Sequence, residues 1–451
     1  MAERQASKEH LREELRALDE EGFDVSAPTR ELDSLGELTG EEAGAALQRI
    51  AAGLGRLPRR AGYSYEEPSD LEGIRAARLE GPRPRAGRIK STVLKDKTLG
   101  AWLGRSAGCL LGKPCEGWHR RTIERGLRAL GEWPLRDYWP RAESLPEGMH
   151  FRGQTGPGDI AYPPPSDPSL RQNITRMTRD DDMDYPILGL HIIETHGPGF
   201  ETRNVADEWL SCLPYWCVYT AERVAYRNLV DEVPIPETAS RWNPYREWIG
   251  AQIRADIWGW CAPGRPELAA ELAWRDARLS HTKNGIYGEM FFAALLAAAF
   301  AEADLQRLIE IGLSEIPRNC RLREAVLDTV EWCGRDPDWE TTWERIDAKY
   351  GHYHGVHTIN NAAVVLMGLL HGRGDFGRTI AIAVMGGWDT DCNGATAGSV
   401  AGTILGAGAL PPEWIAPLHD RISSIVLGFS DVRISALARR TREVQRRVLA
   451  S

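Results

Sequence analysis

The chain has 451 residues, 42% of them hydrophobic and 26% charged, with a formal net charge of −9. That is enough chain for one large or two smaller soluble domains. The acidic balance argues against a nucleic-acid partner, and the apolar runs are too short to span a bilayer, the closest being Met290–Ala301.

The first residues, MAERQASKEHLREELRALDEEG, are charged and lack the apolar core of a secretion signal, so a soluble cytoplasmic protein is expected. The pattern predicts amphipathic helices over Ala6–Glu21 and Thr39–Leu54, with Thr39 and Glu42 in capping-box spacing. A linker with Pro68, Pro82 and Pro84 follows. Residues 1–92 carry no recognisable chemistry and read as a helical extension, most simply an N-terminal cap on a domain spanning 93–451.

Thr98–Leu111 reads as a helix with glycine at 100, 104 and 108, ending at Gly112 and Pro114. Each interior glycine costs about 1 kcal/mol against alanine, so a four-residue repeat of them points to a close-packed backbone neighbour. Glu116 follows on the loop, where a solvated carboxylate is the simpler expectation from spacing alone. Residues 131–179, rich in Pro, Gly and aromatics, read as a long substrate-side loop. Next, Asp180, Asp181, Asp182 and Asp184 precede a helix that runs to His196. One or two of these suit a helix N-terminus. Four crowded carboxylates repel one another, a cost that a bound cation removes. Most of the tryptophans between 209 and 274 are expected in helix packing.

The stretch from Ser280 to Gly288 forms a polar, glycine-punctuated turn before an apolar helix, Met290–Ala303. It can present His281, Asn284 and Tyr287 to a pocket. His352, His354 and His357 are weak metal candidates by spacing. A helix then runs over Ala362–Leu370, with Asn360 or Asn361 near its cap. Finally, Gly386–Gly406 (GGWDTDCNGATAGSVAGTILG) places Asp389 and Asp391 behind a Gly-Gly turn. Cys392 follows, and glycines recur at 394, 398, 402 and 406. The two glycine stripes are expected in the core, facing each other. None of the eight cysteines forms a CxxC pair, and Cys212 and Cys217 lack a second half-site, so zinc is not expected.

Helices dominate and no strand series is evident, which predicts an all-α fold. Two aspartate clusters of oxygen ligands favour Mg²⁺, Mn²⁺ or Ca²⁺, with two ions plausible for so many carboxylates. That much describes a binuclear hydrolase without choosing between phosphoester and glycosidic chemistry.

Three motifs make that choice by resemblance. Gly108–Glu116 (GCLLGKPCE), Arg179–Met183 (RDDDM) and Gly386–Gly398 (GGWDTDCNGATAG) resemble, in order and spacing, those of the ADP-ribosylglycohydrolase family, which includes the dinitrogenase-reductase-activating glycohydrolases. The resemblance covers about residues 95–451. It implies a compact all-α orthogonal bundle, a binuclear Mg²⁺ centre (Mn²⁺ being the alternative) and hydrolysis at C1 of an ADP-ribose-type ribose. Carried over, Asp389 and Asp391 would be metal ligands, with Asp391 the bridge. Asp181 and Asp182 would be ligands, with Asp180 in place of a leading threonine. Glu116 would position water or substrate, and Asp391 or Glu116 would take the water's proton. Met183 stands where the family has threonine, and Cys392, a further candidate ligand, where it has Thr or Ser. The expected substrate is an ADP-ribosylated protein or a small ribosyl nucleotide, with His281, Asn284 and Tyr287 binding the rest of the ligand. A metal-dependent phosphoesterase and a non-catalytic ADP-ribose-binding relative are the competing readings.

Overall fold

The computed structural model describes residues 7–36, 41–154 and 158–450. Among them are twenty α-helices and only two short strand pairs, so the expected all-α class is what the chain adopts.

The N-terminal segment forms α1 (Lys8–Glu20), α2 (Ser26–Ser34) and α3 (Glu41–Gly53). Leu11, Leu15, Leu32 and Ile50 give it a small core of its own. Two of these helices match the expected ones and α2 is additional. Ala6 and the Thr39 of the expected capping box lie outside the described residues; Ser7 caps α1 by accepting the His10 N–H. Helix α4 (Leu71–Ala77) leads to α5 (Ser91–Gly112), which extends further toward the N-terminus than its glycine pattern suggests.

Helix α6 (Arg120–Leu130) precedes the long loop, which contains the parallel pair β1 (Met149–Phe151) and β2 (Ile160–Tyr162), with Met149 opposite Ile160. Then come α7 (Asp181–His196), α8 (Thr202–Cys212), α9 (Thr220–Val230), α10 (Ala255–Cys261), α11 (Pro266–Ala277) and α12 (Lys283–Ala299). Helices α13 (Leu305–Leu313), α14 (Arg321–Arg335) and α15 (Trp339–Tyr350) each keep a solvated face. Helices α16 (Thr358–Gly372), α17 (Phe376–Met385) and α18 (Thr390–Leu405) return to the interior. The chain ends with α19 (Pro412–Ile415), the hairpin of β3 (Arg421–Ser423) and β4 (Asp431–Arg433), and α20 (Ile434–Ala450).

Helices that are apolar on every side belong in the centre. Accordingly α12, α16 and α18 are buried almost throughout, and the second half of α5 joins them. The α5–α18 contact is backbone on backbone. Gly100 faces Gly402, Gly104 faces Gly398, Gly108 faces Gly394, and Gly112 faces Thr390. That order makes the pair antiparallel, and a methyl group at any of these glycines would overlap the facing backbone. The two stripes therefore meet as expected, and the pairing brings the end of α5 to the start of α18. No helix among the described residues is long and apolar enough to cross a membrane.

Candidate metal centre

Three helix ends converge. The end of α5 supplies Cys109, Lys113 and, on the loop beyond, Glu116. The start of α7 supplies Asp180, Asp181 and Asp182, and the start of α18 supplies Asp389, Asp391 and Cys392. Carboxylate oxygens of Glu116, Asp389 and Asp391 lie within 4.8 Å of one another. Ligand atoms of Asp182, Asp391 and Cys392 do so too, as do those of Cys109, Asp180 and Asp182. Asp391 and Asp182 thus link three donor groups into one row. Asp181 is half-buried beside that row, within the field of Asp180, Asp182 and Asp391.

Each position has a local cause. Asp180 is the N-cap of α7, its Oδ1 accepting the Asp182 N–H at 3.0 Å. Pro186 lies inside α7 and has no N–H for the Asp182 carbonyl four residues back. Arg105 of α5 fills that place, donating to the carbonyl from Nε at 2.9 Å and Nη2 at 2.7 Å. It also pairs with Asp182 Oδ1 at 2.9 Å and Asp256 Oδ2 at 2.8 Å, wholly out of solvent. Lys113 ion-pairs with Asp180 and donates to the Arg179 carbonyl at 3.1 Å.

The fourth aspartate turns away. Asp184 takes Arg179 Nε at 2.8 Å, Ser424 Oγ at 2.7 Å and the Ile425 N–H at 2.9 Å. It clamps α7 to the C-terminal loop.

The inserted tryptophan has a similar account. Gly387 and Trp388 both adopt positive φ, +80° and +63°, which for tryptophan costs roughly 1–3 kcal/mol. The turn is held by backbone bonds to the Glu116 loop: the Trp388 N–H donates to the Trp118 carbonyl at 2.8 Å, and the Gly117 N–H to the Trp388 carbonyl at 2.9 Å. Asn361 steadies the other side. Its Oδ1 accepts from the Asp389 N–H at 3.3 Å and Asn393 Nδ2 at 2.8 Å, while its own Nδ2 donates to the Gly355 and His357 carbonyls. The cap of α16 is His357, so the expected capping asparagine is instead a support of the aspartate loop.

The electrostatics are those of crowded, desolvated carboxylates. Burial, then the neighbouring negative charges, push Asp181 and Asp389 well up, and burial followed by Glu116 and Asp180 does so for Asp391. Asp182 also lies well above the ordinary range because burial outweighs the Arg105 charge. Asp180 is the exception: burial opposes its charge, but Lys113 holds it below the usual value. Glu116 keeps solvent contact, yet packing around its carboxyl and the charges of Asp180 and Asp181 raise it to about 7. Burial and the adjacent aspartates hold the Cys109 and Cys392 thiols well above their ordinary range.

One atom stands out. Asp391 Oδ1 is buried and has no hydrogen-bond partner. Ionising a buried carboxyl whose oxygen is unpaired costs several kcal/mol unless something positive reaches it. The Asp391 carboxylate is shared between two donor groups of mostly carboxylate oxygen, which fits a hard divalent cation.

Three residues expected to bind ligand lie in the interior of the fold. His281, Asn284 and Tyr287 are all buried; Asn284 and Tyr287 are bonded within the protein, while His281 Nε2 has no hydrogen-bond partner. Asn284 Nδ2 donates to Glu67 at 2.8 Å and Glu247 at 2.9 Å, and its Oδ1 accepts the Leu322 N–H. Tyr287 donates to the Pro68 carbonyl, and His281 Nδ1 meets Ser280 Oγ at 2.8 Å. The polarity of Asn284 and Tyr287 serves the seam between the N-terminal segment and the body of the fold, where Arg321 also binds Glu67 and Glu247. Arg105, Lys113, Cys109 and Asn361 are the site residues that the sequence reading missed. A proline six residues into α7 signals the need for a donor such as Arg105; the other three left no spacing signal.

The family model described as ADP-ribosylglycohydrolase matches residues 90–448. A solved structure titled "ADP-ribosylglycohydrolase-related protein complex" is 21% identical over 79% of this chain and 99% of its own, with a TM-score of 0.44. No curated protein matches the chain.

Proposed function

The chain belongs to the ADP-ribosylglycohydrolase family, and from that membership we propose that residues 93–451 form a metal-dependent glycohydrolase cleaving the C1 N- or O-glycosidic bond of an ADP-ribosyl or related ribosyl-phosphate substrate. Membership supports glycohydrolase activity in general; the bond, substrate and ion are the proposal. The observation that carries it is Asp391, whose carboxylate joins the donor groups of the two aspartate loops and whose buried Oδ1 has no hydrogen-bond partner.

Glu116, Asp389 and Asp391 would hold one Mg²⁺ or Mn²⁺ ion, and Asp391, Asp182 and Asp181 a second. When bound, such ions supply Lewis acidity and a water of lowered pKa. The chain's own groups do the rest. Glu116, at the solvent edge of the row, accepts the proton of the attacking water at its carboxylate while positive character builds at C1. General-base help of this kind is worth about 10²–10⁴-fold. Lys113 neutralises Asp180, so the row carries one less negative charge against an anionic substrate. Arg105 fixes the start of α7, holding Asp182 in register with Asp391. The paired turns at Gly117 and Trp388 keep Glu116 opposite Asp389.

The test is product analysis with ADP-ribosylated protein, ADP-ribosyl-arginine, ADP-ribosyl-serine and a ribosyl nucleotide, each with and without Mg²⁺ or Mn²⁺. Metal-dependent release of a ribose with a free C1 hydroxyl is expected from at least one. Phosphate release with the glycosidic bond intact, or no C1 cleavage of any of them, would overturn the proposal.

A further inference from the structure

Away from the aspartate centre, α7 and α8 gather two imidazoles, a carboxylate and a thiol. His191 and His196 come from the last turns of α7; Glu208 and Cys212, one helical turn apart, come from α8. Glu208 Oε2 lies 3.1 Å from His191 Nε2 and 3.5 Å from Cys212 Sγ. Its other oxygen, Oε1, lies 2.9 Å from His196 Nε2. The ligand atoms of His191, Glu208 and Cys212 all fall within 4.8 Å of one another.

These separations have a chemical meaning. Tetrahedral zinc, with bonds of about 2.0–2.3 Å, holds its ligand atoms roughly 3.3–3.7 Å apart. The His191–Glu208 and Glu208–Cys212 distances meet that edge to within a few tenths of an ångström. Nitrogen, oxygen and sulfur donors together suit zinc and reject magnesium or calcium, which take oxygen alone. The Cys212 residue is buried while the His191 side chain is 30% exposed, so the point is lined by protein and open to solvent on one side.

We infer that His191, Glu208 and Cys212 form a zinc site, with His196 orienting the carboxylate from its outer oxygen and water in the fourth position. Binding releases the thiol proton to solvent, since the thiolate is the ligand. Ligating carboxylates are themselves hydrogen-bonded from outside, and His196 does this for Glu208. The site has a structural task. The Cys212 carbonyl accepts the Leu427 N–H, and Phe429 packs on the His191 ring. The same loop grips Asp184 through Ser424 and Ile425. Zinc would therefore fix both ends of α7 against one loop, and with them the direction from which Asp180–Asp182 enter the other centre. Cysteine spacing hid the site: Cys212 partners α7 residues and not Cys217.

The full chain, stripped of metal and then saturated with Mg²⁺, is titrated with Zn²⁺ and, separately, with Co²⁺. One equivalent of Zn²⁺ is expected to bind, and Co²⁺ to show a near-ultraviolet thiolate-to-metal absorption. That band should persist in Cys392→Ser and vanish in Cys212→Ser. His191→Gln should weaken Zn²⁺ by at least about tenfold, and His196→Ala by about 10–100-fold, the usual cost of losing outer support. His191→Gln, at a partly exposed position, carries the test should Cys212→Ser fail to fold. No Zn²⁺ bound above the Mg²⁺-loaded background, a band that survives Cys212→Ser, or a band lost in Cys392→Ser would overturn the inference. None of these readouts depends on glycohydrolase activity.

Discussion

Single atoms decide whether the aspartate centre works. Asp391→Asn is expected to leave the metal-free fold about as stable as the wild type, because burial and Glu116 already disfavour the Asp391 charge. It should abolish any gain from Mg²⁺, which at the proposed centre of the wild type would be about 2.7 kcal/mol at a hundredfold excess over Kd. Thermal melts with chelator and with Mg²⁺ check this, and turnover should fall with the lost ion. Arg105→Met tests the support beneath. It strands Asp182 and Asp256 in the interior and frees the carbonyl opposite Pro186. A loss of about 3–5 kcal/mol in urea denaturation is expected. Glu20 gives the pH dependence. Burial beside Glu247, against the pull of Arg16, lifts it from 4.5 to about 7. Between those values the folded protein holds a proton that the unfolded chain has shed, so this group's contribution falls as pH rises through 7. Glu20→Gln should remove that slope. Its stability relative to wild type should improve by about 1–3 kcal/mol between pH 5 and pH 8, read by denaturation at both.

At the scale of elements, the crossing of α5 and α18 sets the spacing of the site. Gly108→Ala would drive a methyl group into the Gly394 carbonyl, and backbone cannot turn aside as a side chain can. About 1–3 kcal/mol should be lost, at the upper end, together with divalent-ion affinity. Gly334→Ala, on the exposed face of α14 with nothing near its Cβ, should instead gain up to about 1 kcal/mol. Paired urea and metal titrations distinguish the two. This crossing was legible in the sequence because four-residue glycine repeats in both helices have one economical explanation. The aspartate loops were legible because repelling carboxylates need a reason. What could not be read was the use of polarity that looks alike in one dimension. Asn284 and Tyr287 belong to as polar a turn as the aspartate loops, but Glu67, Pro68 and Glu247 take up their bonds across more than 30 residues of sequence. Asn361 reads as a helix cap because asparagine favours caps, whereas His357 occupies that place.

For the whole molecule, charge joins the N-terminal segment to the remainder. Glu14 and Glu21 meet Arg246, Glu21 also meets Lys283, and Glu67 meets Arg321, with both arginines nearly out of solvent. Removing residues 1–92 would leave those cations short of partners, so the shortened chain should be markedly less stable and less soluble than the full one, as denaturation and sedimentation would show. The α5–α18 crossing has a consequence in time as well. Thr390 Oγ1 bonds the Gly112 carbonyl across 278 residues of chain. At 5–20 residues per second, a ribosome takes roughly 14–56 s to travel from one to the other. Throughout that interval the glycine face of α5 is complete but has no helix to lie against. The first cluster of aspartates likewise waits for its second. Any ion held jointly by the two clusters would have to wait until α18 has been made and has docked on α5.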